Sequence, residues 1–484
     1  MKRVKLLVIA TLSLGVFLTS CDGDDGIDGV DGIDGVDGQD GTDGQDGADG
    51  QDGADGQDGT SFVGAVYAMT NGEGQVPGTV VQGPNTVIAY GRNADGSLTP
   101  IGPFATDGSG GDFDGGEGLD PLISAYALTK TDDNSSLLAV NAGSNTLTAF
   151  NILGDYSLEI AGSPVDTGAL GPNSIATTST VLVDGTRALI YVSNITRQEF
   201  LADGEPGHQG TITGYWLLDD GSLQPIAGST RELPIRPSAV QFSPDGNWLV
   251  VASINSGAAG LASGSEDELT VFGVNADGTL SASALGTGTS TLRGNTEGRN
   301  LPSAIGFQIV GNNYVVVTEA REFQSDGAPP AFPALQDGSV STWQIQGDGS
   351  LTPISLDVAS GANNTGRTAC WLDFTFDENY FFVSNAIEAG LASYSFDNGV
   401  VTLLDQTAAQ GVGATGNTTD PGAAFGTTEG WIDMWISDDG QYLYQLYGLD
   451  GTIGIFKVNG NTLQQIGEES GNLPDTNTQG IVAI

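Results

Sequence analysis

The chain has 484 residues, 60 of them acidic and only 14 basic, for a formal charge of −46. A surface this negative repels phosphate backbones and anionic lipid headgroups, which excludes nucleic acid as a partner. With one histidine and two cysteines, neither a disulfide framework nor a zinc site of the usual His/Cys type can be assembled.

The chain begins with a basic start (Lys2, Arg3, Lys5) and an apolar run, Leu6–Leu18. That is the composition of a secretory leader, and the run is short for a transmembrane helix. Residues 1–20 are therefore expected to be a signal peptide. The leader ends in Leu18-Thr19-Ser20-Cys21, which resembles a bacterial lipobox. On that reading Cys21 is lipidated, becomes the mature N-terminus and anchors an exported lipoprotein to a membrane, at the outer membrane or cell surface. The alternative is an ordinary leader with a chance cysteine.

Residues 21–60 form a spacer, with glycine at every third position from Gly23 to Gly59 and nearly every triplet Gly-x-Asp. The period is that of collagen, where only glycine fits at the axis of three packed chains. Proline is absent and each triplet sets one aspartate against its neighbours, so a three-chain stalk would need cations or help from trimerising domains. The other reading is a single, self-repelling extended spacer. At about 3.1 Å per residue it reaches on the order of 110 Å.

Residues 61–484 repeat one theme: an apolar β-run, a tight Asp-Gly or Asn-Gly turn, another β-run. Pro237–Val251 followed by Leu269–Leu280 is the clearest copy, and Pro302–Val317 followed by Ser339–Leu351 is a second. A four-stranded unit of this size cannot cover both its faces unless it stacks on copies of itself. The expected fold is all-β, a seven-bladed propeller. Its inner strands are expected to begin at Leu122, Asn173, Ser238, Ser303, Thr368 and Trp431. Blade one starts at its second strand, Phe62–Thr70, and the terminal Gly480–Ile484 supplies its missing inner strand.

The connections divide into two classes. Turns between first and second and between third and fourth strands are short, for example Ser243–Gly246, Asn275–Gly278 and Ser437–Gly440. The opposite face takes the insertions: Asn71–Pro84, Phe104–Pro121, Ile195–Gly210, Ile254–Glu268, Ser283–Leu301, Ala320–Gly338 and Thr407–Gly430. A rigid scaffold with one elaborated face is expected to work through it.

Basic residues are scarce enough that their placement matters. Arg236, Arg299 and Arg367 each precede an inner strand, Arg231 and Arg293 lie in the same connections, and Arg321 follows the second strand of blade five. Guanidinium forks at a channel mouth suit a small anionic or carbonyl-rich ligand. The alternative is that they pair with nearby glutamates and tie loops together. Glu319 is the foremost general-base candidate, with Glu429 and Asp433 next and the lone His208 as a further catalytic candidate. Asp-rich loops such as Asp112–Asp120, or the stalk, could hold calcium, and the other reading is a solvated acidic loop. Trp343, Trp371 and Trp431 are expected to pack between blades.

Stretches such as Asn145–Phe150, Val240–Gly246 (VQFSPDG), Asp267–Leu280 and Gly366–Leu372 (GRTACWL) resemble the seven-bladed propeller lactonase family, which includes 6-phosphogluconolactonases and muconate-lactonising enzymes. The resemblance spans about 62–484. It implies a lactone-hydrolysing or lactone-forming site at the channel mouth, built from histidine, arginine and glutamate. Where enzymatic relatives show a His-Pro-His-like stretch, blade three has Pro172-Asn173-Ser174-Ile175. Two functions follow as expectations. One is an envelope lipoprotein displaying a propeller that binds a small anionic or carbohydrate-derived ligand, or a partner. The other is a lactone hydrolase using Arg236, Arg299, Arg367 and Glu319.

Overall fold

The computed structural model describes residues 62–72, 81–113, 120–196, 210–254, 269–289, 303–320, 338–361, 368–386, 389–410 and 430–484. The chain separates into two compact units, 1–59 and 60–484. The second holds seven antiparallel sheets of four or five strands, and no helix occurs among its described residues. Each sheet is a blade. The inner strands are Leu128–Lys130, Leu170–Thr178, Pro237–Phe242, Ser303–Val310, Ala369–Phe374 and Trp431–Ile436 for blades two to seven.

Blade one is completed from the far end of the chain. Ile481–Ala483 pairs antiparallel with Gly64–Met69, setting Val66 opposite Ala483, Tyr67 opposite Val482 and Ala68 opposite Ile481. The expected closure by the terminal run is therefore present. It removes the open edge that an unclosed ring would expose.

The sequence of a blade follows from having a neighbour on both sides. The second strands of blades two and seven, Ser136–Asn141 and Tyr442–Tyr447, are buried at every position. They read as nearly continuous apolar runs rather than alternating ones, because both faces are covered. In blade five, Val316 packs with Phe381, Val383 and Tyr394 of blade six. Its neighbours Val315 and Val317 join the cluster of Val250 and Ala252 in blade four. Outer strands have no further strand to cover them, and Thr462–Glu469 of blade seven is exposed along most of its length.

One face is made of self-contained turns. In five of them an aspartate Oδ1 accepts both the backbone N–H and the hydroxyl of the residue two positions on. The pairs are Asp95 with Ser97, Asp155 with Ser157, Asp220 with Ser222, Asp277 with Thr279 and Asp348 with Ser350. The residue between has positive φ, for example 77° at Gly278, where a Cβ would also meet the Trp216 ring at 2.5 Å. Glycine there satisfies backbone and packing together.

Two segments depart from expectation. Blade one's outer hairpin is longer than read from sequence: Val81–Arg92 pairs with Leu98–Gly111 out to Val81 opposite Gly111. Parts of the expected loops Asn71–Pro84 and Phe104–Pro121 are thus strand, irregular at Pro84, where a proline cannot donate to the ladder. The inner strand of blade two begins at Leu128, not Leu122. The preceding residues leave the blade altogether, and they decide what the channel is.

Candidate functional site at the channel mouth

Residues 120–127 cross the propeller axis. Asp120 opens the segment with a turn, its carbonyl accepting from Ile123 N at 3.1 Å and its Oδ1 from Ser124 N at 3.4 Å. Ser124 donates its hydroxyl to Asn173 O of blade three at 2.8 Å, and Ala125 N donates to Ser238 O of blade four at 3.1 Å. The Ser124 carbonyl accepts from Trp371 Nε1 of blade six and Gln479 Nε2 beside blade one, each at 2.9 Å. Tyr126 then sends its hydroxyl to Phe307 O of blade five at 2.8 Å. Blade five is three blades away from blade two, so that bond can only pass through the channel. The Tyr126 ring also meets Trp435 of blade seven edge-on, centroids 6.3 Å apart.

Beneath this plug lie two buried carboxyls. Asp433 Oδ2 accepts from Gly480 N at 2.7 Å and Gln479 Nε2 at 3.0 Å. Burial pushes its pKa up to about 7, against the pull of those two donors. Asp373 accepts from Gln308 Nε2 at 2.6 Å, Phe374 N at 2.9 Å and Ile436 N at 2.6 Å. Burial again dominates and holds it at about 6. Tyr126 is raised well above the usual phenol range, first by burial and then by Asp373. A cavity of about 10 Å³ remains between Tyr126, Asp433, Trp371 and Trp435.

Of the arginines expected at the mouth, Arg236 is there. It is half-buried, and its Nη2 donates to Leu122 O at 3.3 Å, gripping the start of the plug. Arg231 is not part of the mouth. Its guanidinium is spent on the carbonyls of Gly228, Thr230, Leu280 and Ser281, tying blade three to blade four. An open cleft of about 640 Å³ beside it is lined by Arg231, Glu232, Pro234 and Phe272. Glu319 lies next to the end of the second strand of blade five, Tyr314–Ala320, fully buried, and accepts the Ser339 hydroxyl. It is not an exposed carboxylate. The remaining candidates, Arg299, Arg321, Arg367, Glu429, His208 and the candidate lipidation site Cys21, lie outside the described residues. So does Arg293. Asp112 and Asp120 are both buried, and no cluster of three His, Cys, Asp or Glu side chains suited to a metal occurs among the described residues.

The three tryptophans expected between blades are all buried, with different tasks. Trp431 stacks on Tyr447 of its own blade at 4.9 Å, whereas Trp371 reaches over the channel. Sequence reasoning singled out Asp433 but missed Asp373, Tyr126 and Gln479. The available signal was a charged residue inside an otherwise apolar inner strand, as in Trp371-Leu372-Asp373-Phe374.

Comparison with known proteins agrees with this architecture. The collagen triple helix repeat family matches residues 20–63. No curated protein matches the sequence. Among solved structures, a candidate 6-phosphogluconolactonase from Bacteroides uniformis superposes with a TM-score of 0.54 at 16% identity, covering 87% of this chain and 99% of its own. The periplasmic gluconolactonase of Pseudomonas aeruginosa gives 0.54 at 15% identity, with the same coverage of 87% and 99%. A protein from Lactobacillus plantarum gives 0.55 at 13% identity, covering 87% and 99%. At such identities the likeness is one of fold. The chain joins a collagen triple helix repeat to a seven-bladed propeller of the 6-phosphogluconolactonase-like fold.

Proposed function

We propose that this is a cell-envelope lipoprotein, lipidated at Cys21, whose Gly-x-Asp stalk holds the propeller away from the membrane. The propeller's long-loop face binds a small anionic or carbohydrate-derived ligand, or a partner presenting the same chemistry. The observation that carries this reading is the plug: Tyr126 and Ser124 close the channel, so a ligand arriving from that side meets Arg236 rather than the channel interior. The collagen repeat match favours a stalk of three chains, with divalent cations such as calcium screening the aspartates.

The test uses the full-length protein in detergent, with a panel of aldonic acids and their lactones as ligands. Binding without acid release is expected, weakened about tenfold or more by Arg236→Ala through loss of a charge-assisted contact, and retained in Glu319→Gln. A second reading, lactone hydrolysis, draws on the fold shared with the Pseudomonas gluconolactonase. Acid release above background that disappears in Glu319→Gln would replace the first reading with the second. Chemical cross-linking of the same preparation with and without calcium tests the stalk, and a monomer under both conditions would remove the three-chain arrangement.

A further inference from the structure

The plug is held in a conformation that its own backbone does not favour. Ile123 sits at φ 46° and Tyr126 at φ 65°, the left-handed region, which is costly for a β-branched residue and for a bulky aromatic. Such strain persists only where surrounding contacts over-determine it. Here those contacts run to other blades, and one of them is a relay: Gln479 Nε2 donates both to Ser124 O of the plug and to Asp433 Oδ2 beneath it.

We infer that residues 120–127 form a pH-responsive plug, seated while Asp373 and Asp433 are protonated and released as they ionise. With the plug seated the two carboxyls are largely buried, Asp373 8% and Asp433 5% exposed. Among the described residues neither carboxyl has a Lys or Arg as hydrogen-bond or ion-pair partner. The groups facing them are few: Tyr126 from the plug, the neutral amides Gln308 and Gln479, and Asp438 on the nearby turn, whose negative charge acts on Asp373. Asp438 is itself paired with Lys130, Nζ to Oδ1 at 3.0 Å, so burial rather than a neighbouring charge is what chiefly disfavours ionisation of both carboxyls. Unseating the plug would admit water to both carboxyls and return them toward ordinary acidity. The seated state therefore binds protons more tightly than the open one. Raising the pH through the interval in which these carboxyls titrate, about 6 to about 7, pulls the equilibrium toward opening. The inference concerns the plug alone and stands whichever ligand the outer face takes.

Hydrogen–deuterium exchange of the full-length protein at pH 5 and pH 8, corrected for intrinsic rates, reads the opening directly. The Ala125 amide, bonded to Ser238 O, and the Ile175 amide, bonded to Tyr126 O, are the reporters. At least about a tenfold loss of protection is expected between the two pH values, the effect of one proton titrating over one pH unit. Asp373→Asn/Asp433→Asn should abolish that dependence. Tyr126→Phe, lacking the bond to Phe307 O, should lower protection at both pH values and keep the dependence. Protection in the wild type that does not change with pH overturns the inference, as does an equal change in the double variant. If the double variant fails to fold, the wild-type profile and Tyr126→Phe still decide.

Discussion

Two sets of aspartates in one propeller behave in opposite ways. On the short-turn face Asp95, Asp155, Asp220, Asp277 and Asp348 are exposed, and each is held below the usual carboxylate range by the hydroxyl and backbone N–H two residues ahead. In the channel Asp373 and Asp433 accept two or three hydrogen bonds each, yet burial carries them up to about 6 and about 7. The hydrogen bonds are comparable in number and length. The solvent is what differs: in water a donor adds to existing hydration, while in the closed channel it only partly replaces lost hydration. Aspartate on the turn face is therefore a local folding signal, and in the channel it is a cost borne by long-range contacts.

That contrast can be broken or sharpened in four ways. The largest effect is expected from removing residues 481–484, which tests how far the channel depends on distant closure. Ile481 and Val482 are almost fully buried and pair with blade one. At about 1.5–3 kcal/mol per buried aliphatic side chain, plus a newly opened edge, urea unfolding should show a loss of more than about 4 kcal/mol. A loss below about 1 kcal/mol would mean that the ring does not depend on its closing strand.

Next comes Asp433→Asn followed against pH. In the folded protein Asp433 titrates near 7, against an ordinary 3.8. Between those values the folded state keeps a proton that the unfolded chain has released. The contribution of Asp433 to stability should be full below about pH 4 and fall, by at most about 4 kcal/mol, as pH rises toward 7. The difference between wild type and variant in chemical denaturation should trace that fall. Parallel profiles across this interval would show that Asp433 is ionised in the folded protein.

Asp439→Ala is intermediate, because this turn aspartate also reaches another blade. Besides Ser437 and Gln441 N it takes Arg92 of blade one at 2.8 Å. Loss of a partly buried pair and its turn bonds should lower stability by about 1–2 kcal/mol. Asp277→Ala, whose carboxylate is exposed and bonded only to Thr279, should shift the melting temperature least of all. If it cost as much as Asp439→Ala, turn aspartates would matter for more than their local bonds.

Much of this architecture was legible in the residues alone because the information is local. Asp277-Gly278-Thr279 contains its turn whole: the glycine for positive φ, the aspartate and threonine for each other. Continuous apolar runs such as Ser136–Asn141 announce strands covered on both sides, and counting them gives the blades. Even the closing strand could be read, since one apolar run was left over at one end and one inner strand was missing at the other. The site was less legible. Arg236 bonds to Leu122 O at the start of the plug, whereas Arg231 sits in a similar connection and is consumed by carbonyls, and Glu319 is buried beside Ser339. Sequence position fixes which loop a side chain belongs to, not which way it turns.

The sequence by itself determined the repeat, the turn chemistry, the collagen-type spacer and the acidity, since each depends on residues close together in the chain. Only the tertiary structure decided that Leu122–Ala127 leaves its blade to cross the axis. Its bonds run to Asn173, Ser238, Phe307, Trp371 and Gln479, residues up to 357 positions away. An apolar segment that ends at a strand looks like strand until the ring closes around it. The same closure withdraws water from Asp373 and Asp433, and no local pattern records how much water a carboxylate will keep.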